Sequence, residues 1–152
     1  MEQDDKQSGG GERAAWMSVL ARASYDDLLA VAAAIDLPDA EIVKPAESGT
    51  LMIEARAGGS GRRFNAGEAT VTRCIVRTGD RLGYSYALGR DKKKAVLAAR
   101  LDLALQDDAR RKEILAAVVE PLCAAQTERR RHASRGAAAT KVEFFTLVRG
   151  DG

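Results

Sequence analysis

Two periods alternate along this chain. Trp16, Val19, Leu20 and Ala23 recur at i, i+3, i+4 and i+7, the stripe of an amphipathic helix. Ser24 then stands where an N-cap belongs, with Asp26 and Asp27 favourable in the first turn behind it. Leu28, Val31, Ala32 and Ile35 repeat the stripe and Pro38 stops it, so a helical pair is predicted at the start. From Glu41 the pattern changes to strand. Glu41–Ala46 reads as an edge strand, because Pro45 cannot donate to a ladder. Ser48-Gly49 reads as a turn, Thr50–Ala57 as the partner strand, and Gly58–Gly67 as a glycine-rich loop. Glu68–Thr78 is a longer strand, turned by Gly79-Asp80 into Leu82–Leu88.

That last strand puts Leu82, Tyr84, Tyr86 and Leu88 on one face and Gly83, Ser85, Ala87 and Gly89 on the other. Such a small-residue face admits close approach by a helix or another backbone, most simply a helix of this same chain. The helical period returns with Leu97, Leu101 and Leu105. Ala109–Val119 continues as a helix that Pro121 should end or kink, and Leu122–Thr140 as a more solvated one.

Val142–Gly152 reads as a terminal strand with Val142, Phe144 and Val148 on one face and Phe145 and Leu147 on the other. A strand apolar on both sides needs cover on both sides. A chain of 152 residues has little material left for that, which predicts a subunit buried in a larger assembly. Cover by its own helices is the alternative. Phe144, Phe145, Leu147 and Arg149 are accordingly the candidate partner-interface residues. Together these elements predict an α+β fold: an antiparallel sheet of about five strands, an N-terminal helical pair, C-terminal helices and a last strand at the C-terminus. The polar, glycine-ended stretch 1–11 is expected to be a disordered arm before a single domain over 12–152.

A formal net charge of +2 is too small to imply a nucleic-acid or membrane partner by itself. Cys74 and Cys123 are isolated, so neither a disulfide framework nor a thiolate metal site is indicated. No apolar run reaches membrane-spanning length and the acidic N-terminus is no signal peptide, so the cytoplasm is the expected location.

Catalytic signals are sparse. The lone histidine, His132, sits among arginines in a polar helix, where a solvated side chain is the simpler reading. No metal-ligand set, nucleophile elbow or Walker loop occurs, and Gly59-Ser60-Gly61 runs into Arg62, Arg63 and Phe64, so a dinucleotide fingerprint fails. No metal is expected, and no cofactor is expected on this chain alone. The best ligand candidates are Gly58, Gly59, Gly61, Arg62, Arg63 and Asn65. Glycine backbones there let N–H groups converge on an anion, and the arginines match phosphate or phosphonate oxygens. A hairpin loop with two solvated arginines is the plain alternative. Arg90 and Lys92, with Lys93 and Lys94, form a second basic segment at a helix start, where an anion would relieve crowded positive charge, although a solvated charge run screened by salt is the plainer reading. Arg129, Arg130, Arg131 and Arg135 suggest a different function, a small nucleic-acid-binding module, but Glu128 intervenes and no aromatic residues interleave.

Several separated segments together resemble one family. They are Trp16-Met17-Ser18-Val19-Leu20-Ala21-Arg22, Glu54-Ala55-Arg56, the Gly58–Gly67 loop with Glu68-Ala69-Thr70-Val71-Thr72-Arg73-Cys74, Leu82-Gly83-Tyr84-Ser85-Tyr86 with Gly89-Arg90-Asp91-Lys92, and Phe144–Asp151. In this order they resemble the G-subunit family of the bacterial carbon–phosphorus lyase system, PhnG. The resemblance implies a role in phosphonate use, within a core complex with H, I and J subunits and with ATP-binding-cassette-like K and L subunits as further partners. It implies that the complex displaces adenine from ATP by a phosphonate, giving a ribose 1-phosphonate 5-triphosphate. The resemblance also places an iron–sulfur cluster and S-adenosylmethionine on the J subunit. It carries over no catalytic residue to this chain, which is expected to be an accessory or scaffold subunit.

Overall fold

A computed structural model describes the backbone of residues 4–148 and the side chains of residues 10–137. Helix α1 (Asp4–Arg22) is followed by α2 (Tyr25–Ala32), which Ser24 caps by accepting from Asp27 N at 3.1 Å. Strands β1 (Glu41–Arg56), β2 (Arg63–Thr78) and β3 (Arg81–Leu88) form an antiparallel sheet in the order β1-β2-β3. Helix α3 (Lys92–Leu105) returns across the sheet. A short helix α4 (Arg111–Ile114) then runs through a π-turn (Leu115–Val119) into α5 (Glu120–Val148). The chain divides into two compact units, Met1–Leu122 and Cys123–Gly152.

The packing centres on α3. Leu97, Leu101 and Leu105 face a helical core with Trp16, Leu20, Leu28, Ile114 and Val118. Ala95, Ala99 and Leu103 face the sheet against Cys74, Val76 and Ala87. Fully burying one such leucine stabilises the fold by about 1.5–3 kcal/mol, and α3 does so on two sides. The small-residue face of β3 is what admits this helix. A Cβ on Gly83 would collide with Ala99 O and sit 2.9 Å from Leu103 Cβ.

The sheet has three strands, not about five, among the described residues. The two short strands expected on either side of Ser48-Gly49 are one strand, β1. Ser48 and Gly49 pair straight across to Thr72 and Val71, and Ser48 Oγ lies 3.0 Å from Thr72 Oγ1. Their turn-like chemistry yields to a long ladder in register with β2. Pro45 is accommodated where that ladder slips, between Lys44 and Glu47, on an edge strand.

The expected terminal strand is also overturned. The backbone through Val148 is helical, so the sheet does not end the chain. Phe144, Leu147 and Val148 fit i, i+3, i+4 as well as they fit alternation, and an apolar run this short does not separate the two periods. Extending an existing helix out of the Ala137–Ala139 run costs far less than starting a strand. Phe144, Phe145 and Leu147 therefore fall on helix, and Arg149 lies outside the described residues. Pro121 does not end its helix either. Upstream of it the backbone widens into the π-turn, with Glu120 N–H donating to Leu115 O, which accommodates a residue that has no N–H of its own.

Candidate functional site

Strand β3 covers only half of β2: its pairing ends at Val71↔Leu88, with Gly89 N–H adding a bond to Thr70 O at 2.9 Å. Beyond that point β1 and β2 continue alone as a two-stranded arm, paired from Leu51↔Ala69 out to Arg56↔Arg63. At about 3.3 Å per residue the arm is about 20–25 Å long. A slip between Ile53 and Glu54 leaves Ala66 as the extra residue. Asn65 Oδ1 accepts Gly67 N–H there at 3.2 Å, so this candidate residue shapes the bulge.

Directly opposed residues share a face, and the arm is amphipathic. Leu51, Ile53, Ala55 and Phe64 lie together, while Met52, Glu54 and Arg56 share the other face with Arg63 and Asn65. Leu51, Ile53 and Phe64 are 44%, 47% and 50% exposed, so the apolar face is uncovered. By register the same face continues onto the body of the sheet through Arg73 and Tyr86, then Ile75 and Tyr84. A recess of about 90 Å³ opens beside these four and Lys44.

The tip is a defined turn rather than a slack loop. Gly61 N–H donates to Ala57 O at 2.8 Å, Ser60 N–H donates to the same oxygen, and Ala57 N–H donates to Arg62 O at 3.3 Å. Gly58 and Gly59 have φ of 63° and 81°, and a Cβ on Gly61 would overlap Ala57 O. The predicted Gly58–Gly67 loop is thus shorter than expected, because Arg63–Gly67 is already strand. Two of its amides are engaged within the turn, and the charged donors at the tip are the guanidinium groups of Arg56, Arg62 and Arg63. Sequence reasoning missed Arg56 and the apolar stem. The signal was the near-mirror pattern of Leu51-Met52-Ile53 and Phe64 around the glycines, with arginine just inside on both sides.

The second basic segment lies at the root of the arm, just after Leu88, so the chain does not bring Arg90 and Lys92 together with the tip. Asp91 caps α3 by accepting from Lys94 N–H at 3.1 Å. Lys94 turns inward, is 8% exposed, and donates from Nζ to Leu88 O at 2.9 Å. Burial pushes its ammonium below the ordinary lysine value, against the opposing pull of Asp91. Thr72 Oγ1 donates to Gly89 O at 2.7 Å. Lys94 and Thr72 therefore fix the β3–α3 corner, and Arg90, Lys92 and Lys93 are the exposed cations around it.

The most connected buried group is one the sequence did not reveal. Asp102, fully buried on α3, accepts from Arg13 Nη2 at 2.7 Å and Nε at 3.2 Å, Trp16 Nε1 at 2.8 Å, Tyr84 N–H at 2.9 Å and Gln106 Nε2 at 3.3 Å. It ties α1, β3 and α3 together, with the Arg13 guanidinium also 5.4 Å from the Tyr84 ring centroid. Every acceptor position is occupied by the fold itself, so this is a structural hub. His132 and the arginines Arg129, Arg130, Arg131 and Arg135 are exposed on α5. Among the described residues no three metal-ligating side chains cluster, and no helix is long and apolar enough to cross a membrane.

Comparison with known proteins gives this chain a family. Residues 11–150 match the family model described as phosphonate metabolism protein PhnG. Over 147 residues the chain is 41% identical to the alpha-D-ribose 1-methylphosphonate 5-triphosphate synthase subunit PhnG of Rhizobium meliloti (strain 1021), covering 95% of this chain and 93% of that protein. By both measures the chain belongs to the PhnG family of phosphonate metabolism proteins.

Proposed function

We propose that this chain is a non-autonomous subunit of a ribose 1-phosphonate 5-triphosphate synthase, completing the complex rather than carrying its main catalytic groups. The observation that supports this most is the arm: a two-stranded ribbon is marginal in water, and this one leaves Leu51, Ile53 and Phe64 half exposed on one face. Contiguous uncovered apolar surface on an ordered element marks a protein interface. The relative's name, a synthase subunit, gives that interface a context.

In this reading the partners are the H, I and J subunits of the carbon–phosphorus lyase core complex, with the K and L subunits associated, all in the cytoplasm. Phosphonate attack at C1′ of the ATP ribose forms a C1′–oxygen bond as the C1′–N9 bond breaks and adenine leaves with a proton. Both substrates are polyanions, which calls for fixed cations around them. The tip residues Gly58, Gly59, Gly61, Arg62, Arg63 and Asn65, and Arg90 and Lys92 at the root, are this chain's candidates for that environment. The segment bearing Phe144, Phe145, Leu147 and Arg149 is a second candidate contact with the partner subunits. The iron–sulfur cluster and S-adenosylmethionine belong on the J subunit.

The test is reconstitution. The complex is co-expressed with and without this chain, sized, and assayed for adenine release from ATP plus methylphosphonate. Adenine release should require this chain together with its partners. Turnover by the single chain, or by the complex lacking it, overturns the proposal.

A further inference from the structure

We infer that the β1–β2 arm is a device for delivering arginines in trans: its apolar face docks on a partner subunit, and its tip presents Arg56, Arg62 and Arg63 to the phosphoryl or phosphonyl oxygens of a substrate held there. This rests on the subunit reading above and adds which atoms of this chain meet the substrate.

Three observations converge on it. Arg56 and Arg63 sit directly opposite one another in the ladder, with Arg62 next to them at the turn. Like charges directly opposed across two strands destabilise the pair, so the arrangement works against the hairpin's own stability. The one acidic side chain beside them is Glu54, 3.6 Å from Arg63, and both side chains are about two-thirds exposed, which makes that pair weak. The side chains of Arg56 and Arg62 make no hydrogen bond or ion pair among the described residues. A triphosphate or phosphonate group supplies the missing negative charge, and the guanidinium fork matches its oxygens geometrically.

The tip is also built to hold its shape. The turn is closed by bonds to Ala57 O and by Gly58 and Gly59 at positive φ, and Gly61 has no room for a side chain. Such a turn fixes the starting points of the arginine side chains, which a slack loop would not. The stem completes the design. Leu51, Ile53 and Phe64 provide a one-sided adhesive surface, and the length of the ribbon carries the tip about 20–25 Å beyond the last residue that β3 supports. The body of this chain thereby stays outside while its arginines reach inward.

The experiment uses the reconstituted complex containing the full chain with Arg56, Arg62 and Arg63 changed to alanine, singly and together, and to lysine. Assembly is read by sizing and stoichiometry, and adenine release by varying ATP and methylphosphonate separately. The triple alanine variant should enter the complex at wild-type stoichiometry and lose about 100-fold or more in kcat/KM. The lysine variant should recover part of the loss, since a point charge replaces a bidentate fork. A rise confined to the KM for ATP assigns the contact to the triphosphate, and a rise confined to the KM for methylphosphonate assigns it to the phosphonate. Unchanged constants in a fully assembled complex overturn the inference, as does loss of assembly in the triple variant, which would make the arginines interface residues. Either result leaves the subunit reading intact so long as adenine release still requires the wild-type chain.

Discussion

Changing Asp102 to alanine should destabilise the folded chain more than any surface substitution. The carboxylate is fully buried and receives Arg13, the Trp16 indole N–H, the Tyr84 amide and Gln106. Removing it leaves a guanidinium whose side chain is only 32% exposed, together with a buried indole N–H and a strand amide, without their acceptor. Breaking a buried ion pair from one side costs about 3–5 kcal/mol. A domain of this size is stable by only about 5–15 kcal/mol, so the variant should be marginal. Trp16 is the single tryptophan and touches the site, so its fluorescence during urea unfolding reports the change directly. With an m-value of about 2 kcal/mol per molar, the midpoint should fall by about 2 M. Asp102→Asn should be nearly as damaging, because its amide N–H₂ would confront groups that are all donors. Replacing Arg13 and Asp102 together by apolar residues should recover only the part due to the unpaired guanidinium, because the Trp16 and Tyr84 donors still lack their acceptor. A fall of less than about 1 kcal/mol for Asp102→Ala would refute the reasoning, because it would place this pair among solvent-screened surface bridges.

Other consequences follow from α3 and the sheet. Gly83→Ala should cost about 1–3 kcal/mol or more in the same assay, because the added methyl pushes against Ala99 O and Leu103; a neutral result would mean that α3 does not lie against β3 there. The native chain should expose one reactive thiol to an aromatic disulfide reagent, the exposed Cys123, while the 1%-exposed Cys74 reacts only on unfolding. Burial raises the Cys74 thiol above its ordinary value of 9.0, outweighing a backbone hydrogen bond at Ile75. A raised folded value means that its contribution is fully present below pH 9.0 and is lost as pH climbs toward the folded value. Cys74→Ala should therefore flatten the loss of stability in that alkaline window, and an unchanged pH profile would contradict the assignment.

What the sequence disclosed is what repeats locally. The Trp16–Ala23 and Leu97–Leu105 stripes and the small-residue face of β3 each need only a few neighbouring residues to be read. Asp102 escaped notice because its meaning lies in Arg13 and Trp16, more than 80 positions away. The arm escaped because Ser48-Gly49 looks like a turn and conceals that β1 is continuous, so Leu51 and Phe64 were not seen as facing the same way beyond the sheet. The final apolar run is ambiguous in sequence because Phe144, Leu147 and Val148 satisfy two periods at once, and the helix already running into them decides between the periods. Of the candidate site, the basic tip was visible as a glycine-arginine segment. Its placement at the end of a stem, and the Arg56↔Arg63 opposition, required the register.

In the proposed assembly the arm is covered by another subunit. The most direct measurement replaces residues 50–70 with a two-residue turn, so that β1 and β2 end near the top of β3, and co-expresses this shortened chain with the other synthase subunits. The Trp16 fluorescence of the purified chain should remain native-like, because the Asp102 hub and both cores lie outside the arm. The shortened chain should fail to enter the complex, and adenine release should fall to the level seen without the chain. Incorporation at full stoichiometry with normal turnover would contradict the account.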